Sequence, residues 1–316
     1  MSRRAAATRR RRRLLPLLLL TLAALVGGVA WLVADDGGPV RGARAPGVAE
    51  AQLPPASPSS PAAVSLEGDD EFRMRFRRPP RAGLVFDLGT GEVLWRRDPV
   101  GVRPVASLTK VMTALVVTTA TRPRDRVRVP AAALRYTGRG VGVLKRGRRV
   151  PVEALLSAAL ITSANDAAIA LGHHVAGSVR GFARLMNERA RLLGLRCTHF
   201  VSPHGLERRN RSCPADLAAM TRLAMAERRI AAIARVPYTQ IRAPVRGKRL
   251  YLATTNPLIA SGHRGAIGLK TGYTSAAGRC LIAVVRRGGR TLGAVLLDSP
   301  NPGEQARRLL ERAFAN

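Results

Sequence analysis

Cys280-Leu281-Ile282-Ala283-Val284-Val285, the turn Arg287-Gly288-Gly289-Arg290, and Leu292-Gly293-Ala294-Val295-Leu296-Leu297 read as two short apolar strands folded back on each other. Apolar runs of six bounded by a Gly-rich turn are too short for helices and have the pattern of a β-hairpin. A matching signal lies near the other end of the apolar region, where Gly83 to Asp87 and Glu92 to Trp95 flank the turn Leu88-Gly89-Thr90-Gly91. Between the hairpins, Ala106 to Ala120, Val152 to Val175, Gly181 to Leu193 and Pro214 to Ala226 repeat apolar residues at three and four spacing, as helices do. Pro302 suits the first turn of a final helix, Gly303 to Ala315. Strands at both ends with helices between them predict an α+β fold, one antiparallel sheet flanked by helices with an inserted helical region. A site is then expected in the cleft between sheet and helices.

Outward from this domain, expected over 81–316, the chain changes character. Residues 35–80 are rich in Pro, Gly, Ala and Ser and have no period, which predicts an extended, disordered tether. Leu14 to Ala34 is free of charge for 21 residues and follows seven arginines in residues 1–13. At about 1.5 Å per residue it can cross roughly 30 Å of hydrocarbon. The basic flank predicts a cytoplasmic N-terminus and an extracytoplasmic domain, held at the cell membrane by a single pass. Gly28-Val29-Ala30 is a small-x-small site, so cleavage stays an alternative to an uncleaved signal anchor.

The formal net charge is +33, and only Lys110, Lys145, Lys248 and Lys270 among the basic residues are lysines. Outside a membrane, so basic a surface meets anionic lipids or envelope polymers, and no nucleic acid is expected. Cys197 and Cys213 bracket a loop-rich segment of an exported chain and are the expected disulfide; Cys280, inside an apolar strand, is expected to be an inert core thiol. No Cys/His spacing resembles a zinc site, and neither metal nor other cofactor is expected. His173, His174 and His204 are assigned structural or surface places.

Three short motifs carry chemistry: Ser107-Leu108-Thr109-Lys110, Ser163-Ala164-Asn165 and Lys270-Thr271-Gly272. On a helix, Lys110 shares a face with Ser107 and can take the proton of its hydroxyl, provided that burial or a second cation lowers its pKa; Lys270 is the obvious second cation. A helix N-terminus at Ser107 would also favour an oxyanion. Taken singly, Ser107 could merely cap the helix, and Ser163 and Asn165 could form an ordinary turn. Ser163 could pass a proton to a leaving nitrogen and Asn165 could hold a substrate amide. Lys270 sits in the strand-like run from Gly265, where it could point into the cleft while Thr271 and the strand edge receive an extended peptide. A phosphate loop at Gly268-Leu269-Lys270-Thr271 is excluded by the missing Gly-x-x-x-x-Gly-Lys spacing.

The trio, in this order, is the set found in β-lactamases and penicillin-binding proteins. Together with Tyr136 to Val143, Phe200-Val201-Ser202-Pro203-His204-Gly205-Leu206 and Lys270 to Ser275, it resembles the low-molecular-weight serine D-alanyl-D-alanine carboxypeptidases over about 82–297. The resemblance implies that Ser107 is acylated, that Lys110 is its base, and that Ser163 completes a proton relay. It implies that Asn165 orients the peptide, that Lys270, Thr271 and Gly272 belong to the substrate site, and that backbone N–H groups of Ser107 and Tyr273 form the oxyanion hole. The expected substrate is the peptidoglycan stem peptide, with β-lactams as covalent inhibitors. Two departures stand out. Ala164 replaces the usual glycine, and no room follows Leu297 for the β-rich C-terminal domain of some members, so membrane attachment is expected from the N-terminal segment. A β-lactamase is disfavoured by the missing Glu-x-x-Leu-Asn pattern, whereas D,D-endopeptidase or transpeptidase preference stays open. The rival of another class is a non-catalytic, basic wall- or membrane-binding protein.

Overall fold

The computed structural model describes residues 62–245 and 248–316; the basic segment, the run read as a membrane anchor and the part of the expected tether up to residue 61 lie outside the described residues. The terminal strands are β1 (Ala82–Asp87) and β2 (Val93–Arg97), followed by the short β3 (Arg103–Pro104). The helical region then runs through α1 (Thr109–Ala120), β4 (Arg126–Arg128), β5 (Arg149–Pro151), α2 (Val152–Ile161), α3 (Asn165–Ala176) and α4 (Val179–Leu192). After β6 (Arg211–Ser212) come α5 (Pro214–Ala226), α6 (Arg228–Ala234), the ribbon β7 (Tyr238–Val245) and β8 (Lys248–Ala253), and α7 (Pro257–Ala260). The chain returns through β9 (Ala266–Thr274), β10 (Gly278–Arg287) and β11 (Arg290–Leu297) to α8 (Pro302–Ala315).

Both expected hairpins form and join in one five-stranded antiparallel sheet of order β2-β1-β11-β10-β9, with Leu84 opposite Val295 and Ile282 opposite Val295 on the other side. The sheet is covered on both faces, which is why β10 and β11 read as continuous apolar runs rather than alternating ones. Ile282, Val284, Val295 and Leu297 face the helical region. Leu281, Ala283, Val285, Leu292 and Leu296 face α8 through Ala306, Leu309, Leu310 and Ala313. Burying Leu309 and Leu310 contributes roughly 2 kcal/mol each. Pro302 occupies the first turn of α8, and the Asn301 side chain caps it by accepting from Glu304 N.

α1 is the central helix: every residue from Thr109 to Val117 is buried, so only its last turn reaches solvent and Lys110 is carried into the interior. Two helical readings need correction. The run expected from Val152 to Val175 is broken at Thr162-Ser163-Ala164, because Ser163 takes a left-handed φ of 63° that no helix continues, and α3 starts afresh at Asn165. Ala106 to Leu108 form a separate 3₁₀ turn, with Ala106 at φ 47°, before α1 begins. The folded part also starts earlier than the hydrophobic pattern indicates. Within the region read as tether, Phe72 is buried, Glu71 N donates to Leu94 O at 3.0 Å and Asp70 pairs with Arg96 at 2.7 Å. Phe72, Met74 and Phe76 alternate with arginines and pack on the face of the sheet that α8 covers, a period of two too short to stand out beside the Pro-rich run before it.

Candidate active site

Ser107 sits in the 3₁₀ turn, one helical turn before Lys110. Neither that turn nor α1 receives a side-chain cap, so the Ser107 hydroxyl is not spent on capping. Two glycines let other segments come close to it. A Cβ on Gly205, at φ 86°, would lie 2.0 Å from Ala106 O, and one on Gly272 would lie 3.1 Å from Ser107 N. The loop after Ser202 and the strand β9 therefore press directly on the serine turn, and Tyr273 follows Gly272 along the same strand.

Lys110 Nζ is fully enclosed and lies 2.9 Å from Ser107 Oγ, 2.8 Å from Asn165 Oδ1 and 2.8 Å from His204 O. Two of these three partners are carbonyl oxygens that can only accept. As an ammonium, Lys110 donates to all three, and the Ser107 hydroxyl in turn donates to His204 O at 3.4 Å; the neutral amine, with two N–H groups and one lone pair, can keep both carbonyls and turn its lone pair to the Ser107 hydroxyl. The electrostatics favour that neutral form. Burial pushes the Lys110 pKa well below its usual value, the Lys270 charge lowers it further, and Asp166 and Glu207 oppose the shift.

Asn165 opens α3 and is itself held, its Nδ2 donating to Thr137 O at 2.8 Å and its backbone N donating to Arg139 O at 2.8 Å. The adjacent Asp166 accepts from Val141 N and Ala167 N, and from Gly142 N at 3.2 Å, which ties the 136–143 loop to the start of α3. The Asn165 amide is thus engaged at both ends within the protein, with one Nδ2 hydrogen left to offer a substrate. The His204 carbonyl is fixed by a second network. Glu207 contacts Ser202 Oγ and accepts from Asn210 Nδ2 at 3.0 Å, Asn210 Oδ1 accepts from Val201 N at 3.0 Å, and Thr113 donates to Pro203 O at 2.7 Å. The His204 ring accepts from Leu206 N, and burial, reinforced by Lys110 and opposed by Glu207, draws its pKa down to about 4.

Among the described residues β9 pairs only with β10, which leaves its other edge open beside Ser107. Lys270 is buried on this strand, donates to Thr271 O at 2.8 Å, and has its pKa lowered to about 7, first by burial and then by the Arg139 charge. Thr271 Oγ1 is hydrogen-bonded to Thr255 Oγ1. Ser163 is buried on the turn that precedes Asn165, but its hydroxyl forms no hydrogen bond with Ser107, Lys110 or Lys270 among the described residues. The sequence reading thus has Ser107, Lys110 and Asn165 in direct contact, Lys270 coupled to Lys110 through its charge, and Ser163 and Thr271 nearby in the chain without a bond to the nucleophile. Away from this cluster, Cys197 and Cys213 form a disulfide and Cys280 is a buried free thiol whose pKa is raised to about 12 by burial.

Two participants escaped the sequence reading. His204 was assigned a structural place by its ring, yet its carbonyl is a direct partner of Lys110; a backbone atom leaves no composition signal. Arg139 was quoted only as part of a resembling stretch, and its effect on Lys270 depends on a loop fold that no spacing reveals.

Comparison with known proteins agrees with this geometry. The sequence profile described as D-alanyl-D-alanine carboxypeptidase matches residues 80–301. The chain is 32% identical over 225 residues to a D-alanyl-D-alanine endopeptidase of Escherichia coli, covering 69% of this chain and 71% of that protein. It is 34% identical over 246 residues to a D-alanyl-D-alanine carboxypeptidase of Mycobacterium tuberculosis, covering 75% and 83%. In structure it is similar to the DD-transpeptidase of Streptomyces K15, with a TM-score of 0.71 and 28% identity over 77% of this chain and all of that one.

Proposed function

Because the chain belongs to the D-alanyl-D-alanine carboxypeptidase family, we propose that Ser107 is its nucleophile and neutral Lys110 the general base, in a site that cleaves the terminal D-alanine from peptidoglycan stem peptides. The protein is a serine peptidase, a hydrolase of the penicillin-binding fold. The assignment of roles is supported by the 2.9 Å contact between Lys110 Nζ and Ser107 Oγ in an enclosed site, where burial and the Lys270 charge lower the pKa of the lysine.

In this mechanism Lys110 accepts the Ser107 proton as Oγ attacks the carbonyl carbon of the penultimate residue. The carbonyl oxygen gathers negative charge beside the backbone N–H groups of Ser107 and Tyr273. Collapse breaks the peptide bond, the proton held by Lys110 passes to the leaving amine, by way of Ser163 or directly, and an ester to Ser107 remains. Water then adds to the ester with Lys110 again as base, releasing the shortened peptide and restoring the hydroxyl. Lys270, with Thr271 and Gly272 along the β9 edge, receives the free carboxylate of the substrate, and the remaining Nδ2 hydrogen of Asn165 faces the peptide backbone. β-Lactams acylate the same hydroxyl. Release of D-alanine from an acylated peptide ending in D-Ala-D-Ala tests the assignment: the wild type turns over and Ser107→Ala does not, whereas equal release by the variant would sink it.

A second reading, cleavage of D-alanyl cross-links, is supported by the Escherichia coli relative, which is named an endopeptidase. Both reactions use the same acyl-enzyme, and competition between a linear and a cross-linked peptide separates them. We also propose that Leu14 to Ala34 anchors the chain in the cell membrane with the peptidase outside, and that its basic surface contacts anionic polymers of the envelope. The support is the uncharged 21-residue run behind seven arginines and the formal charge of +33. Alkaline extraction of membranes, which leaves an anchored chain in the pellet and frees a peripheral one, tests the first point.

A further inference from the structure

The ribbon of β4 and β5 has a covered face and an open one. Val127 and Val150 are buried beneath it, while Arg126, Arg128 and Arg149 are exposed, with Arg148 at the entrance to β5. The register sets Arg128 directly opposite Arg149. Like charges so placed cost stability. Among the described residues, none of Arg126, Arg128, Lys145, Arg146, Arg148 and Arg149 is paired with a carboxylate. Beside the ribbon lies a cavity of about 520 Å³ whose lining includes Arg128, Arg146, His173, His174, Val129 and Pro130 and no acidic residue. Its rim is held by backbone bonds, Gly147 N to Val129 O and Val129 N to Arg148 O, both 2.9 Å.

From this arrangement we infer an anion site outside the catalytic cluster, one that binds the phosphate groups of a soluble, extended polyanion. One phosphate enters the cavity between Arg128 and Arg146, and its neighbours lie along the arginines of the ribbon. Guanidinium forks match phosphate oxygens two at a time, which suits arginine better than lysine. A concave site accepts a charged group projecting from a chain more readily than the flat plane of a bilayer. The inference rests on the wall-acting reading above and deepens it by naming the polymer chemistry and its place. His173 is eight residues from Asn165 on α3, about 12 Å along the helix axis, so a polymer bound here is held next to the peptidase site.

The test uses the full chain in nonionic detergent and fluorescently labelled inorganic polyphosphate, followed by anisotropy over a range of salt. Replacing two ribbon charges, Arg128→Ala with Arg149→Ala, is expected to weaken binding about tenfold and to lower the slope of log affinity against log salt by about two. Removing two exposed charges elsewhere, Arg75→Ala with Arg312→Ala, is expected to weaken it less than about twofold. An equal loss in both pairs would mean diffuse charge and overturn the site. So would wild-type binding to phosphatidylglycerol vesicles without binding to polyphosphate. Penicillin acylation, followed in the same samples, is expected to be unchanged in both pairs. Its absence in the wild type would count against the peptidase reading alone, and polyphosphate binding without a ribbon effect against the anion site alone.

Discussion

Replacing Lys270 by methionine should make the protein more stable and less active, by an amount that depends on pH. Lys270 is 1% exposed and its pKa is drawn from 10.5 to about 7, a shift equivalent to roughly 5 kcal/mol for holding the charge inside the fold. Below pH 7 both folded and unfolded chains carry the proton, and the folded one bears the full cost of the buried charge. Between pH 7 and 10.5 the unfolded chain binds one more proton than the folded one, so the wild type gains about 1.4 kcal/mol of stability per pH unit. Methionine keeps the volume, removes the charge and forfeits one hydrogen bond to Thr271 O, worth about 1 kcal/mol. The variant should thus exceed the wild type by about 2–4 kcal/mol at pH 6, roughly 4–16 °C in melting temperature, and the gap should close by about 2–3 kcal/mol at pH 9. Thermal unfolding of both full chains from pH 6 to 9 measures this, alongside D-alanine release, which should fall at least a hundredfold. A gap that is flat with pH, or a variant less stable at pH 6, would refute the reasoning.

Other expectations follow from the same contacts. Asn165→Ala deprives Lys110 of one carbonyl-type acceptor and should lower β-lactam acylation about a hundredfold while leaving melting within a few degrees, read by stopped-flow acylation and thermal unfolding. Burial is the main cause of the low Lys270 pKa and the Arg139 charge the second, so Arg139→Gln should move the alkaline limb of kcat/KM, where Lys270 loses its proton, part of the way upward from about pH 7; an unmoved limb would detach Arg139 from the site. Cys197→Ser with Cys213→Ser opens a loop of 16 residues and should cost about 3 kcal/mol, measured by denaturant unfolding, with acylation at pH 7 retained.

The sheet was legible because both hairpins are bounded by Gly-rich turns and buried on two faces, so that β1, β10 and β11 are unbroken apolar runs. The ribbon of β7 and β8 and the short helix α6 were not, since their patterns are mixed and their places depend on partners distant in sequence. At the site, side chains in motifs could be read and backbone groups could not. Ser107, Lys110, Asn165 and Lys270 came from three short stretches, whereas the His204 carbonyl, the left-handed Ser163 and the tie between Asp166 and the 136–143 loop arise only in the folded chain. The helix break at Ser163 is instructive: three and four spacing continues through it, and a single backbone angle decides that two helices form.

The most direct test of the account is the rate of acylation by benzylpenicillin at pH 7, with the modified residue mapped by mass spectrometry, in the wild type and in Lys110→Arg. The account predicts one adduct, on Ser107, in the wild type, and a rate at least a thousandfold lower in a variant whose guanidinium keeps its proton and cannot serve as base. An adduct on another residue, or acylation of Ser107 at an undiminished rate with arginine at position 110, would contradict it.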